Sequence, residues 1–554
     1  VLLADVSRPA SNSSPAQFRD LGVDVFFAAG SDALGREIYR TDGSLGGTAM
    51  IADVQPGSFG SNPADAASVG GSVFFAGNLF GQGVQLFVTD GSAAGTVQLT
   101  TASPAVHPRG VTALGGLVVF SGESANGREP WVSDGTPAGT FELVDARPGA
   151  ASSFTLFSEN FTAVGGVVLF AANDGTNGVE LWVTDGTAAN TQLLVDIRPG
   201  AGSSSPSGLV SDGTRCWFVA NDGTSGSELW CSDGTAAGTK RVVDLVPGPI
   251  SSFPQDLTVG GGRVWFTAAS GGQRELRVSD GTAAGTSQLT TTAFGRVDAY
   301  SDLTWTTAGL CFLHDDLGGA GTELWLSDGT AATTQLVVDL VPGQRSGPVP
   351  GTLVAILGGT RLLFGAATHA DGMQLWLGDG TAPGTQQVSS FGGAGVGAVS
   401  FGAFFATGTR TFFACDDGVS GVEPWLFDPV NGGLAFVLPY GSACGGSSLP
   451  EAGANGVPTL GNAAFAVSVS QALPLSLAVP VGSEGSTNIG LGGGCRLLTD
   501  PARNAARARA APPVNPHSLR ALRRQGSPSR APTAVVQGSR GNVGSSRARR
   551  AAGP

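Results

Sequence analysis

The sequence predicts an all-β protein, a β-propeller of about nine four-stranded blades, and two observations carry that reading. A strand centred on a large side chain recurs nine times, every 44 to 51 residues, and in eight copies an Asp-Gly turn closes it. Glycine reaches 87 of 554 residues, dispersed as turn punctuation without a collagen-like triplet, which fits many short strands joined by tight turns. A fixed period of this length marks a repeat array, and an array can grow without one oversized core.

One unit, residues 141–187, shows how each strand arises. Phe141–Asp145 alternates like a strand and runs into the turn pair Pro148-Gly149. Phe161–Val164 is a second strand, and Gly165-Gly166 supplies a two-residue hairpin turn in which positive φ costs glycine nothing. Val167–Ala172 is apolar throughout and reads as a third strand, buried on both faces. Asn173-Asp174-Gly175 turns the chain into the fourth strand, Glu180–Thr184, and Asp185-Gly186-Thr187 leads to the next unit. Four antiparallel strands in such a length match a propeller blade. The strand type Leu143-Val144-Asp145 recurs at Leu2–Val6 and near Leu434–Leu438, so either terminus could complete the last blade and seal the ring. The alternative is eight blades plus an irregular remnant.

Glu-Leu-Trp-x-x-Asp-Gly-Thr stands intact at 180–187, 228–235 and 323–330. On those residues the region 1–430 resembles the ELWxxDGT-repeat proteins of bacteria. The resemblance implies a propeller-like protein that is secreted or held in the cell envelope, and it brings no catalytic residues. Residues 440–500, with Tyr440-Gly441-Ser442-Ala443-Cys444 and Gly492-Gly493-Gly494-Cys495, resemble a short C-terminal domain of some secreted bacterial proteins. The expected domains are therefore a propeller over 1–438, a small Gly-rich β domain over 439–500 and a disordered Arg-rich tail over 501–554.

Charge divides along the same line. Residues 501–554 hold 11 of the 30 basic side chains and none of the 43 acidic ones, leaving residues 1–500 with a net charge of −24. An acidic body of that kind repels nucleic acid and anionic membrane. The tail has few large apolar groups with which to offset ordering entropy, and its abrupt composition also reads as out-of-frame translation. No stretch of about 18 apolar residues exists, so no membrane-spanning helix is expected. The start at Val1, without Met, reads as processing or truncation. Six cysteines make no framework, but Cys216 and Cys231 flank a hairpin and align across it, and Cys444 and Cys495 bracket the Gly-rich segment. A bridge in the second pair could add roughly 2–4 kcal/mol, and oxidation of either would place the protein outside the cytosol.

Candidate functional residues follow from what repeats and what does not. Asp42, Asp90, Asp134, Asp185, Asp233, Asp280, Asp328 and Asp379 precede turn glycines, where aspartate bonds its own backbone. The preceding glutamate is Gln85 or Gln374 in two copies, a replacement that keeps a hydrogen bond but would lose a general base, so this ladder is read as structural. Trp131, Trp182, Trp230, Trp325, Trp376 and Trp425 fill the aromatic position and are expected to pack blade on blade, whereas Arg277 breaks it. Oxygen-rich loops at Asp174, Asp222, Asp316 and Asp417 are the metal candidates, with calcium as the ion, although none has an EF-hand's ligand count. No other cofactor is expected. The four histidines are scattered without ligand spacing, and no nucleophile elbow or phosphate loop stands in a suitable context. Groups that depart from the repeat concentrate at Arg274, Arg277, His314, Asp315 and Asp316.

The expected function is a non-enzymatic, monomeric binding or structural protein that presents a multivalent surface to extracellular proteins or glycans. One alternative is a propeller enzyme acting on polysaccharide, which requires non-repeated acids to converge at one mouth of the ring. Another is a calcium-stabilised structural module.

Overall fold

Nine antiparallel sheets follow one another from Ala16 to Phe427 in a computed structural model, each with its strands in sequence order. The structure describes residues 2–429 apart from 5, 7–11, 45, 102–104, 155–159, 271, 291–299, 316–320, 343–346, 369–371, 390, 392–398 and 418–419, plus five later strands. Residues Leu2–Phe427 form one compact unit. Eight blades own four strands, and the ninth owns three: Ser400–Thr407, Arg410–Asp416 and Val422–Phe427. Its fourth place is taken by the N-terminal segment, where Leu2 bridges to Trp425 and the Leu3 N–H donates to the Pro424 carbonyl at 2.9 Å. The first strands of successive blades contact one another all round, and that of blade 1 contacts that of blade 9, so these strands are innermost and the ring is closed.

This seam explains a shift of phase. Phe141–Glu142, the opening strand of the unit as read from sequence, pairs with Gly127–Ser133 and is the short outer strand of blade 3. Blade 4 is Thr162–Val164, Val167–Asn173, Val179–Thr184 and Gln192–Val195. The N-terminal segment is thus the outer strand that blade 9 lacks. Gly165 and Gly166, at φ 55° and 92°, form the two-residue hairpin of blade 4, a conformation that would strain any other residue.

Apolar side chains on facing sheets bind each blade to the next. Leu114, Val119 and Val132 of blade 3 pack on Val168, Phe170 and Trp182 of blade 4, and at the seam Leu3, Phe18 and Phe27 pack on Phe412 and Leu426. Each fully buried large apolar side chain contributes about 1.5–3 kcal/mol. The aromatic position also stacks within its blade: Phe27 on Tyr39 at 5.6 Å, Phe170 on Trp182 at 6.3 Å, Phe312 on Trp325 at 6.4 Å. Near the axis, threonine hydroxyls join neighbouring inner strands, Thr162 donating to the Leu209 carbonyl at 3.3 Å and Thr258 to that of Leu303 at 3.0 Å.

The recurring glutamate has a defined task. Glu180, fully buried, accepts the N–H of Ile197 at 2.9 Å and the N–H of Ser204 at 2.7 Å, 17 and 24 residues downstream. Glu37, Glu129, Glu228 and Glu323 repeat both offsets, so each carboxylate clamps the connector that leads to the next blade. Glu423 makes the same bonds to Val6 and Ser13 across the seam. Where the slot holds glutamine, the connector differs: Gln85 accepts from the Thr100 hydroxyl and Gln374 from that of Ser389.

The eight turn aspartates each accept at Oδ1 the N–H two residues on, at 2.7 to 3.0 Å. The glycine five residues after the aspartate is needed for a reason the spacing alone hides. A Cβ on Gly139 would sit 2.1 Å from Asp134 Oδ1. Two units lack this glycine and instead offer a donor, Asn190 to Asp185 and Thr333 to Asp328. Gly139→Ala is accordingly expected to cost about 1 kcal/mol, the value of the displaced hydrogen bond, and Gly139→Asn close to nothing. Urea midpoints of the two variants check this; equal midpoints would discount the contact.

Two expectations are corrected. Cys216 and Cys231 are free thiols, because the hairpin register pairs Cys216 with Ser232 and Trp217 with Cys231. The two cysteines therefore point to opposite faces, and each joins a different interblade core. Beyond the propeller, Ala505–Ala510 pairs with Cys495–Asp500, so a sheet crosses the boundary drawn at residue 500. Its Ala/Arg alternation has a strand's period of two. The Cys444–Cys495 pairing lies outside the described residues, as does Asp316.

Candidate active site at the mouth of the ring

A left-handed residue stands two positions before the inner strand in at least five blades: Ser14, Asn62, His107, Ser205 and Phe253, with φ between 44° and 51°. Because the inner strands surround the axis and the blades repeat, these residues ring one mouth of the channel. Arginines on the third strands grip three of them by the carbonyl: Arg36 that of Ser14 at 2.6 Å, Arg128 that of His107 at 2.8 Å and Arg274 that of Phe253 at 3.1 Å. The repeat thus imposes the backbone and leaves the side chain free to vary.

At His107 that side chain meets charged partners. Its Nδ1 lies 2.9 Å from Glu123 Oε2, and Arg128 Nη2 lies 2.6 Å from Glu123 Oε1. The histidine and glutamate side chains are 41% and 40% exposed against 5% for the arginine, so a buried cation backs a half-open pair. Burial opposes ionisation of Glu123, but hydrogen bonds from His107 and Arg128 outweigh it and hold the carboxyl below its usual range. On the other side, Nε2 has no hydrogen-bond partner among the described contacts. Such a histidine, with one nitrogen fixed by a carboxylate and the other free, can accept a proton from water.

A second carboxyl acts in the opposite sense. Asp65, left-handed at φ 47°, is exposed on the inner strand of blade 2, though the protein around it leaves its carboxyl partly desolvated. That desolvation raises its pKa, and the Gly110 N–H and the charges of Arg109, Arg19 and Arg128 offset it only in part. Glu123 and Asp65 therefore share the field of Arg128 while their pKa values move apart. Such divergence is how acid and base roles are divided.

The residues singled out from sequence lie elsewhere. Arg277 is buried between Glu275 at 3.4 Å and Gln288 at 3.3 Å, and His314 is buried on Tyr300 with ring centroids 4.3 Å apart. Repeat decay there put Arg277 and His314 into the core, whereas Arg274 stands at the mouth as the donor to the Phe253 carbonyl. The turn aspartates are exposed hydrogen-bond acceptors, as described. Asp174 accepts from Thr176 and Asn177, Asp222 from Thr224, Ser225 and Arg241, and Asp417 from Ser420, so these calcium candidates face N–H and O–H donors. Among the described residues no three His, Cys, Asp or Glu side chains converge as metal ligands, and no helix is long and apolar enough to cross a membrane. His107 and Asp65 were missed because nothing in the sequence marks their backbone conformation. The available signal was a histidine where other units carry Ser or Asn.

No family model and no curated protein matches the sequence. Solved structures do match, at low similarity. A puromycin hydrolase is 16% identical over 64% of this chain and 58% of its own, with a TM-score of 0.29. A prolyl endopeptidase is 10% identical over 64% and 54%, with a TM-score of 0.36. The β-propeller domain of the Trilobed protease from Pyrococcus furiosus is 14% identical over 59% of this chain and 98% of that domain, with a TM-score of 0.32. The chain spans a little over half the length of the first two. The three proteins matched are hydrolases and peptidases, unlike the non-enzymatic binding or structural ring expected from sequence; at these scores the likeness reaches the propeller fold and no activity or residue of this chain.

Proposed function

We propose that the ring is a hydrolase acting on polysaccharide, with His107, Glu123 and Asp65 as its acid–base groups. The observation that carries this reading is the half-open His107–Glu123 pair backed by buried Arg128, beside a carboxyl shifted the other way. His107 Nε2 would take a proton from water while the water oxygen bonds to the anomeric carbon. Asp65, whose pKa is shifted upward, would give its proton to the departing glycosidic oxygen, so the C–O bond breaks without releasing an alkoxide. Glu123 stabilises the imidazolium formed, and Arg128 keeps Glu123 ionised. A polymeric sugar outside the cytosol also accords with the secreted or envelope location implied by the repeat resemblance.

The test is release of reducing ends from a panel of neutral polysaccharides by the full chain. His107→Ala and Asp65→Asn are each expected to lower the rate 10²- to 10⁴-fold, in keeping with loss of one general acid or base. Turnover undiminished in His107→Ala, or none in the unaltered protein on any substrate, would reject the assignment.

A further inference from the structure

Farther round the same mouth, a cavity of about 430 Å³ opens between the left-handed residues of blades 5 and 6. Its size falls in the range of small-molecule sites. The wall includes Ser205, Ser207, Asn221, Phe253 and Gln255. Among the described contacts the hydroxyls of Ser205 and Ser207, the Asn221 amide nitrogen and the Gln255 amide have no partner within the protein. Asn221 is oriented for this task, since its Oδ1 accepts the Gly223 N–H at 2.7 Å and leaves Nδ2 as the open donor. The single charged lining group, Arg198, turns toward the Ser203 carbonyl at 3.4 Å.

Phe253 makes this wall unlike its counterparts. The equivalent residues are Ser14, Asn62, His107 and Ser205, which are small or tolerate positive φ, whereas a bulky aromatic at φ 45° is an outlier. The residue is also 56% exposed, so nothing within the protein covers the aromatic that the repeat places in this conformation. A strained, exposed aromatic beside unspent neutral donors and acceptors points outward, to a ligand.

We infer that this cavity is a subsite for an uncharged sugar unit of the substrate chain. The face of Phe253 stacks on the apolar face of a pyranose ring, and Ser205, Ser207, Asn221 and Gln255 take its hydroxyls. Neutrality follows from the amide and hydroxyl lining and from the acidic body, which disfavours uronates and sulfated sugars. The inference rests on the polysaccharide reading above and extends it to substrate class.

Calorimetric titration of the full chain with malto-, cello-, xylo- and mannohexaose tests it. One series is expected to bind, with Phe253→Ala weakening affinity at least tenfold and Phe253→Tyr restoring it. The melting temperature of Phe253→Ala should equal or exceed that of the unaltered protein, which separates lost binding from lost folding. Undiminished affinity in Phe253→Ala, no binding by any neutral series, or preferential binding of an oligouronate would overturn the subsite. Phe253-dependent binding without turnover would remove the hydrolase assignment and leave the subsite standing; His107-dependent turnover with Phe253→Ala binding normally would do the reverse.

Discussion

Glu423→Ala is expected to destabilise the propeller by about 3–5 kcal/mol, because it removes the shared acceptor of several buried hydrogen bonds. The carboxylate is fully buried and accepts the Val6 N–H at 2.9 Å, the Ser13 N–H at 3.1 Å and the Ser13 hydroxyl at 2.7 Å. Alanine would leave those donors facing a cavity, and each buried unsatisfied donor costs about 1–3 kcal/mol. The damage falls on the joint that lacks covalent continuity, so the N-terminal segment should become protease-sensitive as the urea midpoint drops. Glu423→Gln should lose less, because an amide oxygen can still accept, as Gln85 and Gln374 do. A loss below about 1 kcal/mol in Glu423→Ala, with the N-terminal segment still protected, would mean that apolar packing alone seals the ring.

Stability is also expected to fall as pH rises from about 5 to 7.5. Burial pushes the carboxyls of Glu129 and Glu323 from an ordinary 4.5 up to about 7, against the pull of the N–H donors they accept. Between those values the folded chain holds protons that the unfolded chain has released. The contribution is full below pH 4.5 and is lost as pH climbs through 7. Each group could contribute up to about 3 kcal/mol by linkage. Urea unfolding at several pH values gives the slope, and the double variant Glu129→Gln, Glu323→Gln should flatten it. A stability that increases with pH over this window would mean that the N–H clamps win and both groups are ionised.

The repeat made the architecture legible in the sequence. The period, the Gly165-Gly166 hairpin and the Asp-Gly turns are local signals, and local geometry alone decides them. The phase of the blade was not legible, because Phe141–Glu142 reads equally well as the last strand of one sheet or the first of the next. Cross-strand register carried a similar ambiguity, and a displacement of one residue was enough to place Cys216 and Cys231 on opposite faces. The glutamate ladder could be recognised as structural from its glutamine replacements, but the backbone groups it holds could not. The mouth was least accessible of all. A histidine and a phenylalanine matter there because of left-handed backbone imposed by the repeat, and only the folded ring brings Glu123 to one and an open cavity to the other.

The seam has a kinetic consequence. Elsewhere the clamp joins groups 17 to 24 residues apart, whereas Glu423 meets Val6 across 417 residues. For a flexible chain the longer closure costs about 3 kcal/mol more in entropy than the shorter, with the same bonds gained. Once eight blades have stacked, however, the rigid arc already holds the two ends close and most of that cost has been met. Closure should therefore come last in folding, and the final latch turns a row of semi-independent modules into one unit that melts together.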